Sequence, residues 1–117
     1  MRLIDYLCVP YRLEAATTEL TDGSWVRRVA YPELPDCMAE STVIEDALCQ
    51  LERMRIEIIV RMVVDGRIPP VPRPPLRDCD PAWVARQVGV SPQLIDLIDR
   101  CDATTVPEQE TNFWILR

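Results

Sequence analysis

The side chains in this 117-residue chain that could do chemistry are five cysteines and nineteen carboxylates, and the chain contains no histidine. The lack of histidine argues against Ser-His-Asp and Cys-His triads and most protein metal sites. The sequence has no C-x-x-C pair, which a cysteine-only zinc site would need. We expect the cysteines to be reduced and partly buried. They are Cys8, Cys37, Cys49, Cys79 and Cys101. No glycine-rich phosphate loop is present. We therefore expect no enzymatic activity, no cofactor and no metal site.

The net charge is −6, and all thirteen basic residues are arginine. The charge is spread along the chain without a basic patch or tail. This charge distribution disfavours nucleic-acid binding, because neutralising the phosphates needs clustered cations. A basic protein partner, or simply solubility, fits the acidity better. No long apolar run predicts a membrane span, and residues 1–10 lack the apolar core of a signal peptide, so we expect a cytoplasmic protein.

One long amphipathic helix is predicted over residues 41–65. Thr42 and Glu45 have the spacing of a capping box at its start. Gly66 and then Pro69 predict its end. An apolar stripe, interrupted by one arginine, recurs at spacings of three and four: Ile44, Ala47, Leu48, Leu51, Arg55, Ile58 and Met62. Such a stripe needs a sheet or a partner to cover it.

Two alternating segments precede this helix and are joined by an Asp22-Gly23 turn, which predicts a β-hairpin over residues 11–31. We expect the first strand to be half-buried. Trp25 and Tyr31, on one face of the second strand, are predicted to be core residues under the helix, with partner contact as the alternative. A short third strand over residues 37–40 completes a β-β-β-α order. The fold class is therefore α+β, with the helix on a small antiparallel sheet.

Five of the ten residues 67–76 are proline, so this segment is predicted to be polyproline II or an edge strand followed by a stiff linker. A spacer is favoured over a ligand for a proline-recognition groove. The sequence thus divides into an α+β domain over residues 1–68, a proline-rich linker over 69–77 and a helix pair over 78–117.

The helix pair is predicted from two capping signals, Asp80-Pro81 and Ser91-Pro92. Ala85, Gly89 and Ile95 stand at the offsets of a helix-turn-helix. The second helix would expose Gln93, Asp96 and Arg100 as candidate DNA contacts. Its carboxylates would repel phosphate, so packing or dimerisation stays open as the alternative. Residues 111–116 are expected to form a closing strand or an apolar plug.

Four segments resemble the HicB family, the antitoxin half of HicA–HicB toxin–antitoxin pairs. YLCVPY (6–11) is similar to the family's Y-L-x-x-P-Y, and IEDAL (44–48) to its E-E-A-L. DGSWVRRVAYPELPDCMAEST (22–42) is similar to D-G-x-aromatic followed by P-E-L-P-G-C-x-x-x-G-D-T. DGRIPPVP (65–72) is similar to D-G-x-x-I-P-x-P. The resemblance covers residues 6–75. Asp36 stands where the family has glycine, and Glu40-Ser41 replaces its Gly-Asp.

The resemblance implies a β-β-β-α-β fold similar to a partial RNase H or double-stranded-RNA-binding domain, without catalytic activity. It implies an antitoxin that binds and neutralises a small basic ribonuclease and, as a dimer, represses its own operator DNA. Glu33, Asp36 and Glu40, together with Trp25, are the predicted partner contacts, with a solvated turn as the alternative for the acids. The alternative function is an orphan HicB-fold adaptor or subunit in a larger nucleoprotein assembly.

Overall fold

The computed structural model describes residues 1–102, with side chains as far as Arg100, and shows an α+β fold. A three-stranded antiparallel sheet lies against a long helix; two of three shorter helices contact that helix, and the remaining one packs against the last helix. The elements in chain order are α1 (Leu3–Leu7), β1 (Glu14–Glu19), β2 (Trp25–Ala30), β3 (Met38–Ser41), α2 (Ile44–Val64), α3 (Pro81–Gln87) and α4 (Pro92–Asp102). No helix within this range is both long and apolar enough to cross a membrane.

The predicted hairpin is confirmed. β1 and β2 pair in a register that sets Glu14 opposite Ala30 and Glu19 opposite Trp25. Gly23 has a φ of +86°, which glycine adopts without steric cost. The Asp22 carboxylate accepts hydrogen bonds from the backbone and the hydroxyl of Ser24, at 3.0 and 2.6 Å. These bonds stabilise the turn and hold the pKa of Asp22 below its usual value.

The long helix is confirmed, but it begins later than predicted. β3 continues to Ser41, and the Ser41 hydroxyl accepts the Val43 N–H at 3.2 Å. Val43 is therefore the N-cap and has no side-chain cap bond, so the Thr42 capping box was wrong. The predicted end is confirmed: Gly66 has a φ of +78°, its N–H donates to Val63, and the Arg67 N–H donates to Met62. This is the Schellman pattern.

Helix α2 buries two faces instead of a single stripe. Ala47, Leu51 and Ile59 are buried on or beside the predicted stripe. Ile56 and Val60 are buried as well, about a quarter turn or more around the helix. Contacts of α2 with β2 and β3 on one side, and with α1 and α4 on another, explain the second face. The core therefore lies around the middle and second half of α2.

The proline-rich segment after α2 packs against the body. Pro69 and Val71 are buried. The Tyr11 hydroxyl donates to the Pro70 carbonyl at 2.7 Å, and the Leu76 N–H donates to the Cys8 carbonyl at 2.9 Å. No strand forms over residues 67–80, because the prolines lack the donors that a ladder needs. The expected final edge strand is therefore absent from the described residues, and a free spacer does not describe this segment.

The helix pair has the predicted construction. The Asp80 carboxylate accepts the Trp83 N–H at 3.1 Å as an N-cap, and Gly89 has a φ of +79° in the turn. Ala85 and Ile98 are buried. The Arg53 side chain of α2 donates to the Val88 carbonyl at 2.7 Å, which fixes the pair to the body. The segment predicted as a closing strand, residues 111–116, lies outside the described residues.

Candidate partner-binding surface

A buried charge network in the centre of α2 connects the helix to α1 and to Tyr31. Arg55 is only 8% exposed. Its guanidinium donates to the Leu7 carbonyl at 2.9 Å and to the Glu52 carboxylate at 3.0–3.3 Å, and Tyr31 donates its hydroxyl to Glu52. Burial alone would lower the pKa of Arg55, but Glu52 outweighs it and the pKa is raised.

The same network keeps its aromatic members neutral. Burial, and then the hydrogen bond to Glu52, raises the pKa of Tyr31. Burial raises the pKa of Tyr11, whose ring lies 6.1 Å from that of Tyr31, to about 12. Arg55, Glu52 and Tyr31 thus bond to one another and, through the Leu7 carbonyl, to α1. Within residues 1–102, no group of three or more cysteine, aspartate or glutamate residues could hold a metal ion.

The sheet differs sharply between its covered and uncovered parts. Val29 and its partner Ala39 are buried on the face that meets α2, whereas Arg28 and Glu40, one residue away, are exposed on the opposite face. All six residues of β1 are exposed, so the prediction of a half-buried first strand was wrong. The reason is that α2 lies over β2 and β3, while β1 is an edge strand beyond its reach.

One end of the molecule combines the hairpin turn with the start of α2. Arg27 pairs with Ser41 in the sheet, and α2 begins only three residues after Ser41. The first turns of the helix therefore lie at the same end of the sheet as Glu19 and Trp25. We name this region the tip surface and define it by eight exposed residues: Glu19, Leu20, Trp25, Val43, Ile44, Glu45, Asp46 and Leu48.

Five of the tip residues are large and apolar. Trp25 is 49% exposed, so its predicted core position was wrong, although Tyr31 on the same strand face is half-buried as part of the Arg55 network. Trp25 is paired with Glu19 of the edge strand, where no helix covers the face. Leu48 is 36% exposed, whereas Leu51, one turn further along the helix, is fully buried. Five of the eleven large apolar residues that are exposed in the described part of the chain thus lie in the tip surface, and an exposed apolar group of this kind is typical of an interaction site.

The charges of the tip surface are acidic. Glu19, Glu45 and Asp46 are exposed, and in the described part of the chain none of them forms an ion pair. The nearby Arg27 is half-buried and donates to the Thr17 hydroxyl at 3.2 Å. An apolar patch beside unpaired carboxylates is suited to a basic partner with apolar anchors.

The structure gives the predicted contact Glu33 an internal role. Its carboxylate accepts the Arg12 N–H at 2.8 Å and two bonds from the Arg73 guanidinium at 2.8 and 3.2 Å. The bond from Arg73, and then that from Arg12, lowers the pKa of Glu33. Glu33 therefore connects the segment before β1 to the proline-rich segment.

The other two predicted acids lie in separate settings. Asp36 is exposed in the β2–β3 connection with a φ of +58°, a left-handed conformation that aspartate tolerates better than most residues. Glu40 lies on the open sheet face, where Arg28 binds its carboxylate at 2.6 Å. Glu33, Asp36 and Glu40 do not share the environment of a single acidic rim, although they are close in sequence.

The candidate DNA contacts Gln93, Asp96 and Arg100 are all exposed on α4. The guanidinium of Arg100 donates to the Asp96 carbonyl at 3.4 Å, and Asp99 on the same helix pairs with Arg86 of α3 at 2.8 Å. The exposed charges of α4 are therefore mainly carboxylates. This surface would repel phosphate, which favours the packing interpretation of the helix pair.

Sequence reasoning missed the tip surface because Ile44 and Leu48 have the right spacing to be core residues. A signal was nevertheless present, since the helix is longer than the strands. Its 21 residues span about 31 Å, whereas a six-residue strand spans about 20 Å. A sheet of that size cannot cover the whole stripe.

Comparisons of this chain with protein-family models, with curated proteins and with solved structures found no match.

Proposed function

We propose that this protein is a HicB-like antitoxin, a non-catalytic protein that binds a small basic ribonuclease through the tip surface and blocks it. The observation that carries this proposal is the cluster of exposed apolar residues beside unpaired carboxylates at one end of the molecule. Trp25, Ile44 and Leu48 supply apolar anchors, and Glu45 and Asp46 supply charge. A basic partner would be steered by the charge and held by the anchors.

The edge strand β1 offers a second means of attachment. Its six residues are exposed, it contains no proline, and in the described part of the chain it pairs only with β2. Its free edge therefore presents backbone donors and acceptors to a strand of the partner. Its small residues, Ala15 to Thr18, leave room for such a strand to approach.

The order of elements supports the family part of the proposal. Two of the quoted family segments, 22–42 and 44–48, fall on the hairpin, on the β2–β3 connection and on the first turns of α2, in a β-β-β-α order, whereas the last strand of the β-β-β-α-β order that the resemblance implies is absent from the described residues. Asp36, at the family's glycine position, adopts the left-handed conformation that a glycine there would favour.

The test is reconstitution with the natural partner. The tagged chain is purified from its own host, the bound protein is identified by mass spectrometry, and the two are recombined in pure form. We expect a small basic ribonuclease whose cleavage of RNA stops when one equivalent of the chain is added. Affinity should fall as salt is added, because exposed charges are screened.

A pair of double variants locates the contact. Glu45→Arg with Asp46→Arg should weaken binding by roughly tenfold or more and flatten its salt dependence. Asp78→Arg with Asp96→Arg changes the net charge equally at exposed positions outside the tip surface and should leave affinity within about twofold. An equal loss of affinity in the two double variants would show a general charge effect and contradict the assignment of the site. A partner without ribonuclease activity would favour the adaptor function instead.

A further inference from the structure

Two cysteines that are far apart in sequence meet beside α1. Cys8 follows α1, and Cys79 stands directly before the N-cap of α3, 71 positions later. The Cys8 thiol donates to the Cys79 carbonyl at 3.9 Å, and the two side chains also interact with each other. Both thiols are reduced. Neither takes part in the tip surface, so their meeting is not accounted for by the proposed function.

The backbone on both sides of this contact is fixed. The Leu76 N–H donates to the Cys8 carbonyl at 2.9 Å, which holds the chain leading to Cys79 against the end of α1. On the other side, Cys79 is followed at once by Asp80, whose carboxylate caps α3. A covalent bond between the two sulfurs would therefore join segments that already lie together.

Access to the two thiols is unequal. Cys8 is 7% exposed, whereas Cys79 is only partly buried. Both line a surface cavity of about 470 Å³, together with Arg2, Asp5 and Arg77. Burial, and then the hydrogen bond to Cys79, raises the pKa of Cys8, which keeps Cys8 protonated at neutral pH. A small oxidant entering the cavity would meet Cys79 first.

We propose that Cys8 and Cys79 form a reversible disulfide that fastens the helix pair to the body of the protein. With a hydroperoxide as oxidant, the Cys79 sulfur attacks the terminal peroxide oxygen, and the O–O bond breaks. The departing oxygen takes the thiol proton and leaves as an alcohol, or as water from hydrogen peroxide. Cys79 becomes a sulfenic acid.

In the second step the Cys8 sulfur attacks the Cys79 sulfur. The S–S bond forms, the S–O bond breaks, and the hydroxyl group leaves with the Cys8 proton as water. The peroxide is thus reduced by two electrons, and the two thiols are oxidised to one disulfide. A dithiol reductant reverses the reaction by thiol–disulfide exchange.

The disulfide would close a loop that contains the sheet, α2 and the proline-rich segment. Cross-links of long loops restrict the unfolded chain strongly. At present the helix pair is held to α2 by apolar contacts and by bonds from Arg53 and Cys49 to the Val88 carbonyl, at 2.7 and 3.9 Å. Oxidation would add a covalent tie at the other end of α3, next to its cap.

The test treats the full chain with hydrogen peroxide and follows intact mass, peptide map and Tm. We expect a mass about 2 Da lower, a Cys8–Cys79 cross-linked peptide, and a Tm higher by about 10 °C or more. Dithiothreitol should restore all three. Cys79→Ser, a change at a half-buried site, and Cys8→Ser should both lose the cross-link and the Tm rise, with circular dichroism showing that each variant is folded.

Cys49→Ser is the matched control, because Cys49 is also a half-buried thiol bound to a backbone carbonyl. It should form the Cys8–Cys79 cross-link as the wild type does. Oxidation that stops at a sulfinic acid on Cys79, or that pairs Cys79 with another cysteine, would overturn the proposal. A cross-link that leaves Tm unchanged would overturn the fastening role.

Discussion

The first two turns of α2 and the turns that follow carry similar apolar residues but meet different surroundings. Leu51 and Ile59 are fully buried between the sheet and the N-terminal part of the chain, whereas Ile44 and Leu48 are exposed at the tip. Because the sheet is shorter than the helix, it covers only part of the continuous apolar stripe of α2. The later turns of α2 lie in the core, whereas Ile44 and Leu48 in its first turns remain exposed.

This division predicts that stability and binding can be changed separately. Substitutions in the middle of α2 should lower the free energy of unfolding and affect binding only through loss of the fold. Substitutions at Ile44, Leu48 or Trp25 should weaken binding with little change in stability. The variants below test this separation, beginning with the largest expected effect.

Replacing Arg55 with alanine should destabilise the protein by about 3–5 kcal/mol, because the Glu52 carboxylate and the Leu7 carbonyl would lose their buried partner. Urea denaturation followed by circular dichroism measures the change. The double variant Arg55→Met with Glu52→Gln removes both charges and should recover a large part of the loss. Full stability of Arg55→Ala would show that the network contributes nothing.

Truncating two leucines of the same helix gives the most direct comparison. Leu51→Ala opens a cavity in the core and should cost about 2–5 kcal/mol, whereas Leu48→Ala, at a partly exposed site, should cost about 1 kcal/mol or less. Both are measured by the same denaturation experiment. Equal losses would mean that Leu48 is a core residue in solution.

The protein should lose stability in alkali. Burial raises the folded-state pKa of Tyr11 to about 12, above its usual value of 10.0, so the unfolded chain releases its proton first as pH rises. The stability that comes from the neutral phenol is complete below pH 10 and is lost between pH 10 and about 12. Tyr11→Phe should have a lower free energy of unfolding near pH 8, and that free energy should decline less steeply between pH 10 and about 12. An unchanged slope would exclude Tyr11 as the cause.

The smallest expected effect is a gain in stability from a substitution in the β2–β3 connection. Asp36→Gly should stabilise the protein by about 0.5 kcal/mol, since the left-handed conformation suits glycine better than aspartate. Asp65→Gly, at the α2 C-cap where φ is −80°, is the control and should be neutral or destabilising. A loss of stability in Asp36→Gly would show that the aspartate side chain itself stabilises the loop.

The elements that could be predicted from sequence are those with strong local signals. The hairpin follows from Asp22-Gly23, the end of α2 from Gly66, and α3 from the Asp80 cap. Each of these signals acts within a few residues, so tertiary structure had little opportunity to override it. The predicted start of α2 was wrong because the Ser41 hydroxyl, at the end of β3, accepts the Val43 N–H, and Val43 rather than Thr42 is the N-cap.

The candidate site was less predictable, since it depends on which parts of an amphipathic pattern are covered. Nothing local distinguishes Leu48 from Leu51, and alternation alone could not show that β1 lies beyond the helix. The acids that were predicted together, Glu33, Asp36 and Glu40, are separated by their partners: Arg73 holds the first and Arg28 the last. Contacts over long sequence distances decide these positions.

Amide hydrogen exchange of the chain, alone and in complex with the basic protein purified with it, shows directly which residues the partner covers. If the tip surface and β1 hold the partner, exchange in the complex should be slower at β1, at the start of β2 and in residues 43–48, with little change in α3 and α4. Protection confined to α3 and α4, with the tip surface unchanged, would contradict this location of the binding site.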